Sequence, residues 1–287
     1  MEDHPKPLFL RSLSRAECPP DRYLVLRVAG RDAAAFLQGQ LTQDVARSDA
    51  GELCLAALLT PQGRVLAVPW LGRHEESIVL LLPAPLAPTV HDALKRYVLR
   101  AKVALSLVAL EAPLAAQLNL AIATRRARTP AATADATAGT SVAAAAAGAR
   151  DAEADRHWTH ALIEAGLPEI GVATSGEWIP QMLNLDLLDA ISFAKGCYTG
   201  QEIVARTQNL GRIKRRMFRY QTPLASPPPP KTALSAGGQK VGEVVLAVAT
   251  ASGSELLAVV NLDARDAALA LADGAACRLA TLPYRVP

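Results

Sequence analysis

The chain has 287 residues, of which 51% are hydrophobic and 20% charged, with 30 Lys+Arg against 27 Asp+Glu. That apolar content excludes a disordered chain, and the length predicts two or three compact units. A net charge of +3 excludes a polybasic scaffold but leaves room for a local basic patch. The four cysteines, Cys18, Cys54, Cys197 and Cys277, lie far apart with no C-x-x-C pair, so neither a disulfide framework nor a structural zinc site is predicted. Met1-Glu2-Asp3-His4-Pro5 lacks the basic and apolar regions of a signal peptide. The nearest approach to a membrane span, Leu80–Val90, is interrupted by Pro83, Pro85 and Pro88. The expectation is a soluble protein of a reducing cytoplasm, with no membrane partner.

In chain order, Tyr23–Val28 reads as a strand closed by Gly30, and Asp32–Gln38 as a short helix. Leu53–Leu59 and Arg64–Leu71 are strand-like and joined by Pro61-Gln62-Gly63. There proline fixes φ and glycine tolerates positive φ, which predicts a hairpin. Ile78–Leu82 is a further strand, Leu86–Arg100 has helical spacing, and Val103–Leu110 is strand-like again. The order suggests an α+β unit with helices on an antiparallel sheet. Residues 127–155 are about half alanine and almost free of large apolar side chains, which predicts a mobile surface loop. Helical signal returns at Ala154–Glu164. A strand-like Met217–Gln221 precedes Pro227-Pro228-Pro229-Pro230, read as a stiff extended spacer. Lys240–Thr250, Glu255–Leu262 and Ala276–Leu282 then suit a small antiparallel β-barrel. The predicted domains are an α+β region of two subdomains over 22–126 and 156–222, and a barrel over 231–287.

Walker, Rossmann, G-x-S-x-G and H-E-x-x-H motifs are absent, so nucleotide hydrolysis, dinucleotide binding, serine hydrolysis and zinc proteolysis lack support. His157 and His160 have helical spacing but no third ligand, and no metal is assigned. The informative segment is Lys195-Gly196-Cys197-Tyr198-Thr199-Gly200-Gln201-Glu202-Ile203-Val204-Ala205-Arg206. Thr199 and Glu202 match a capping box, which predicts a helix starting near Gly200 and ending at Asn209-Leu210-Gly211, with Gly211 left-handed. Lys195 and Cys197 would then precede a helix N-terminus, where positive potential lowers a thiol pKa and favours anions. The residues fit a reactive thiol, an anion cradle, or a small cysteine packed at a tight turn.

Lys-Gly-Cys-Tyr-Thr-Gly-Gln-Glu strongly resembles the signature of the YgfZ family, folate-binding proteins that support iron–sulfur enzymes and are related to the glycine-cleavage T-protein. Four more blocks follow the family's order. They are Phe36-Leu37-Gln38-Gly39-Gln40-Leu41-Thr42-Gln43-Asp44-Val45, Pro61-Gln62-Gly63-Arg64-Val65-Leu66, Ile163-Glu164-Ala165-Gly166-Leu167-Pro168 and Pro180-Gln181-Met182-Leu183-Asn184-Leu185. The resemblance implies a ring of three subdomains around a central cleft for tetrahydrofolate or another reduced folate. It also implies folate-flanking aromatics at Tyr23 and Trp158. Cys197 would be the catalytic or thiolate residue, with Lys195, Gly196, Tyr198, Thr199, Gly200, Gln201, Glu202 and Arg206 as motif and anion-binding positions.

Two departures bear on activity. The aspartate needed for aminomethyl transfer in the T-protein aligns with Ala67, followed by Val68, and its arginine before Glu-Ala-Gly aligns with Leu162. An aminomethyltransferase is therefore not expected. In addition, the alanine-rich segment occupies the region where the T-protein supplies a glutamate to the pterin edge. The implied role is a folate-binding accessory protein for assembly or repair of iron–sulfur proteins, tRNA-modifying enzymes among them, with iron–sulfur clients or assembly proteins as partners. The alternatives are a folate-dependent methyl or aminomethyl transferase, and an RNA-binding module. In the latter, Arg206, Arg212, Lys214, Arg215, Arg216 and Arg219 would give a weak tRNA contact through phosphates.

Overall fold

The computed structural model describes residues 17–50, 52–126 and 151–287. Most of the alanine-rich segment read as a mobile loop, 127–150, lies outside them. Its last five residues are not loop. Asp151 caps the helix α4 (Ala152–Glu164), its carboxylate accepting from the amides of Glu153 and Ala154. Glu153 and Asp155 in the first turn also suit the positive end of the helix dipole.

The first unit is an antiparallel five-stranded sheet. β1 (Tyr23–Ala29) leads to the short helix α1 (Ala33–Gln38). β2 (Cys54–Leu55), β3 (Leu58–Leu59), β4 (Val65–Ala67), β5 (Trp70–His74) and β6 (Ser77–Pro83) follow. Helix α2 (Ala87–Val98) and β7 (Ala104–Ala109) complete it, in strand order β2-β5-β6-β1-β7. β1 lies centrally, pairing with both β6 and β7, which buries Val25, Leu26 and Val28 completely. Helix α2 sends Val90 and Leu94, one turn apart, into the core. β3 and β4 form the hairpin expected around Pro61-Gln62-Gly63, with Gly63 at φ +71.

Helix α3 (Ala112–Arg126) was not anticipated, although Leu114, Leu118 and Ile122 repeat every four residues and are all buried. It is followed by α4, two 3-10 turns and the helix α5 (Gln201–Asn209).

The C-terminal unit is a closed barrel of β8 (Arg215–Thr222), β9 (Ala233–Ala236), β10 (Gln239–Thr250), β11 (Gly253–Asn261), β12 (Leu269–Leu271) and β13 (Ala276–Ala280). Its order is β10-β11-β8-β13-β12-β9. Because β8 pairs with both β11 and β13, the barrel begins at Arg215, not at 231. The polyproline run is accordingly a connection inside the barrel, between β8 and β9. β11 is buried along eight of its nine residues because each of its faces meets a different core. Leu256, Ala258 and Val260 fill the barrel, while Leu257 and Val259 join the main core on the side where α4 packs. Both faces being covered explains the near-continuous apolar run in that strand.

Candidate functional site

The motif segment docks on the first unit. Ser192 N donates to Thr42 O (2.9 Å) and Thr199 N to Gly39 O (3.1 Å), pinning the loop at both ends. Between them the Lys195 ammonium donates to three backbone carbonyls, Gln38 (2.7 Å), Leu41 (2.6 Å) and Gln43 (3.0 Å). Three donors meet three acceptors, and Lys195 Nζ also lies 5.1 Å from the Tyr198 ring. Burial pulls the Lys195 pKa down to about 8, while Asp44 opposes the shift. Tyr198 is buried beneath the loop, and burial raises its phenol to about 12.

Gly200 stands at φ +80, and a Cβ there would lie 2.6 Å from Thr60 O in the β3–β4 hairpin. A Cβ on Gly63 would meet Ile203 at 2.6 Å. Two glycines thus let hairpin and α5 approach in a way side chains would prevent. Three separated sequence blocks, 36–45, 61–66 and 195–202, therefore form one structural unit.

On that platform Cys197 is exposed, as are Gly196 and Glu202, whereas Cys18 and Cys277 are buried and Cys54 is half-buried. The capping box does not form. Gly200 occupies the N-cap in a left-handed conformation, Thr199 Oγ1 contacts Gln40 Oε1 at 3.4 Å, and Gln201 Oε1 accepts from Tyr198 N at 3.3 Å. The reading failed because αL backbone at Gly200 moves the helix start past the residue that would cap it. At the other end the helix stops at Asn209 with Leu210 at φ −126, so Gly211 supplies no left-handed cap.

Tyr23 and Trp158 come together, but in the core. Their rings meet edge-on at 6.1 Å and 77°, and Trp158 Nε1 donates to Tyr23 Oη at 3.3 Å. Tyr23 Oη in turn donates to Glu169, which also pairs with Arg22. Burial, then Glu169, pushes the Tyr23 phenol well above its ordinary value. Trp158 has no exposed surface, so neither ring offers a face to a flat ligand. Of the two histidines, His157 is exposed and His160 lies 3.5 Å from Glu255.

The basic stretch divides in two. Arg216 is buried and forks onto Asp186 at 2.6 and 2.9 Å, and Arg219 pairs with Glu255 across to β11. Arg206, Arg212 and Lys214 remain exposed and Arg215 half-exposed. The set of cations open to solvent shrinks from six to four.

A cavity of about 490 Å³ opens among well-separated segments of the chain. Leu53 and Cys54 come from the sheet, Ala121 and Arg125 from α3, Leu188 and Asp189 from the segment before the motif, and Tyr284 from the C-terminus. Tyr284 Oη donates to Gly166 O at 2.7 Å and accepts from Asn184 Nδ2, which ties the C-terminus to the 163–168 and 180–185 blocks. Burial raises the Cys54 thiol to about 11, with Arg47 and Arg125 opposing and Asp189 reinforcing the shift. Arg125 lies over the Trp70 ring at 5.6 Å. These residues were missed from sequence because they come from distant segments. A larger, more open groove of about 710 Å³ lies on the barrel near Thr222, Ser254 and Arg278, apart from every motif block.

Among the described residues no helix is long and apolar enough to cross a membrane. No family model matches the chain. It is similar to the glycine cleavage system aminomethyltransferase T of Bartonella henselae, with a TM-score of 0.63 at 16% identity, covering 96% of this chain and 88% of that one. The fold is thus the T-protein α+β ring of subdomains closed by a β-barrel. An uncharacterized protein of Haemophilus influenzae is 33% identical over 211 residues, 70% of this chain and 71% of the relative. The tRNA-modifying protein YgfZ of Serratia proteamaculans is 40% identical over 138 residues, 45% of this chain and 42% of the relative. That of Klebsiella pneumoniae is 30% identical over 298 aligned positions, covering 92% of this chain and 91% of its own. With that identity sustained along nearly both whole chains, and with the motif blocks converging on one platform, the chain belongs to the YgfZ family.

Proposed function

We propose that this protein binds a reduced folate in the 490 Å³ cavity and uses Cys197 to support assembly or repair of iron–sulfur proteins, tRNA-modifying iron–sulfur enzymes among them. The observation that carries the reading is the presentation of Cys197. It is the exposed member of the four cysteines, on a loop fixed at Ser192, Lys195 and Thr199. Cys18 and Cys277 are the opposite case, buried with thiols pushed up to about 12 and about 11, and suit inert packing. A thiol held outward on a rigid platform fits contact with a partner's cluster or cysteine better than chemistry in a closed pocket. The relatives named as tRNA-modifying proteins favour clients of that kind.

The folate assignment rests on the cavity, whose volume is within the ordinary range for small-molecule sites, roughly 300–1,000 Å³. It does not rest on Tyr23 and Trp158. The three Lys195 donors are engaged by carbonyls, so that ammonium serves the loop and not an anion. Aminomethyl transfer is disfavoured: Ala67 and Leu162, at the aligned T-protein positions, are buried and apolar.

Two measurements test the reading. Anaerobic calorimetric titration with tetrahydrofolate is expected to give saturable binding, and absence of heat at millimolar ligand would remove the folate half. In cells lacking their own YgfZ-family protein, Cys197→Ala is expected to lose support of an iron–sulfur tRNA-modifying enzyme while the purified variant melts like the wild type. Full support by that variant would remove the thiol half.

A further inference from the structure

The folate cavity has an apolar interior and a charged lip. Leu53, Ala121, Leu188 and Tyr284 line it with hydrocarbon and an aromatic edge, the surface that a flat heterocycle takes. At the lip Arg47 donates to Asp189 Oδ2, with the two side chains 46% and 66% exposed. This pair joins the 3-10 turn Val45–Ala50 to a residue 142 positions away, across the cavity wall.

The acidic partner sits exposed at the end of a turn. Asp189 stands at φ +56, a left-handed conformation that Asp adopts more readily than most residues other than glycine, and is held there partly by Gln43 Nε2 donating to its carbonyl. A pair this exposed adds little to stability. Exchanging one carboxylate for another on Arg47 is therefore nearly neutral for the protein, and a ligand carboxylate can meet the guanidinium as a two-pronged fork. Arg47 shows one side-chain bond, to Asp189, among the described residues, so its remaining N–H groups can donate to a second oxygen.

We infer that Arg47 is the carboxylate-recognising residue of this cavity, and that Asp189 occupies its guanidinium until the glutamate tail of a reduced folate displaces it. The inference rests on the folate reading above and assigns the ligand's orientation: pterin against the apolar wall, tail at the lip. It also assigns a specificity, for pterins that carry an anionic tail over those that do not.

The test is anaerobic titration of wild type, Arg47→Gln and Asp189→Asn with tetrahydrofolate and with tetrahydropteroate, which lacks only the glutamate. Arg47→Gln is expected to weaken tetrahydrofolate about tenfold, the scale of one charge-assisted contact at a half-exposed site, and to leave tetrahydropteroate unchanged. Asp189→Asn frees Arg47 and is expected to tighten tetrahydrofolate a few-fold. Thermal melts establish that both variants stay folded. Equal effects of Arg47→Gln on the two ligands, or no effect on either, overturn the assignment while leaving the folate reading standing. If wild type takes up neither ligand, the folate reading falls and the tail assignment with it.

Discussion

The Lys195 clamp gives the sharpest test of how the motif loop is held. Replacing Lys195 by methionine keeps an unbranched side chain nearly as long but removes the ammonium, and with it all three donors and the cation over the Tyr198 ring. The carbonyls of Gln38, Leu41 and Gln43, now bonded at 2.6 to 3.0 Å, lose their shared partner. Hydrogen bonds to a charged group contribute about 1.5–3 kcal/mol each when buried. Here the ammonium is half-buried and water can reach part of the vacated space, so the three together should be worth about 2–4 kcal/mol, well below their sum. Lys195→Arg should not restore it, because a planar fork cannot send three donors to three carbonyls converging on one point. Urea unfolding gives the stability, and labelling of Cys197 by an aromatic disulfide gives the loop's freedom. Both variants are expected to unfold at lower urea and to expose Cys197 to faster labelling. Loss of less than about 0.5 kcal/mol with unchanged labelling would show that the loop is held by its backbone bonds at Ser192 and Thr199 alone.

Three further outcomes follow from the same geometry. Gly200→Ala should cost about 2–4 kcal/mol, combining the left-handed penalty with the Cβ contact to Thr60 O, and thermal melting of the variant measures it. Arg216→Met should cost about 3–5 kcal/mol because it strands a buried Asp186, and adding Asp186→Leu should recover most of the loss; if Arg216 contacted RNA instead, the single variant would fold normally and lose tRNA affinity. For Glu255, burial raises the pKa, but His160, Arg219 and Gln221 outweigh it and hold the carboxyl at about 2. A folded pKa below the unfolded one means stability present above about 4.5 and lost as the pH falls from there towards 2, so Glu255→Gln should be less stable than wild type at pH 7 and converge with it near pH 2.

What the sequence revealed divides along a physical line. Local signals were legible: the Pro61-Gln62-Gly63 turn, the helical spacing of α2, the strand-like runs of β8 and β10. The strands that escaped were β9 and β12, four and three residues long and too short to show a period, although each pairs with the strand that follows it; α3 was missed despite its local Leu114, Leu118 and Ile122 repeat. The capping pattern at Thr199 and Glu202 misled for the converse reason. A local rule was satisfied in sequence, but packing of the hairpin against α5 placed Gly200 in the left-handed region and moved the helix start. The six clustered cations likewise looked alike in sequence, and only the positions of Asp186 and Glu255 separate the two that are internal from the four that face outward.

The same reasoning separates the two halves of the candidate site. The Cys197 platform was readable because each of its parts is a contiguous block, and blocks that dock on one another keep fixed residue types, as Gly63 against Ile203 and Lys195 against the carbonyls of 38–43 require. The cavity was not readable, because it draws its lining from five separate segments, within 47–54, 117–125, 187–189 and 283–284 and at Ala165, and asks only that they be apolar or charged in the right place. Tyr23 and Trp158 fall between these cases. They are two aromatics outside the motif blocks, and whether such a pair binds a ligand or closes a core depends on what fills the space beside them. Here Glu169, bonded to both Tyr23 and Arg22, fills it, and the pair joins β1 to α4. On the proposed function, ligand recognition lies in the cavity beside Arg47, Cys54 and Tyr284, and the thiol chemistry on the outer platform where Cys197 meets solvent.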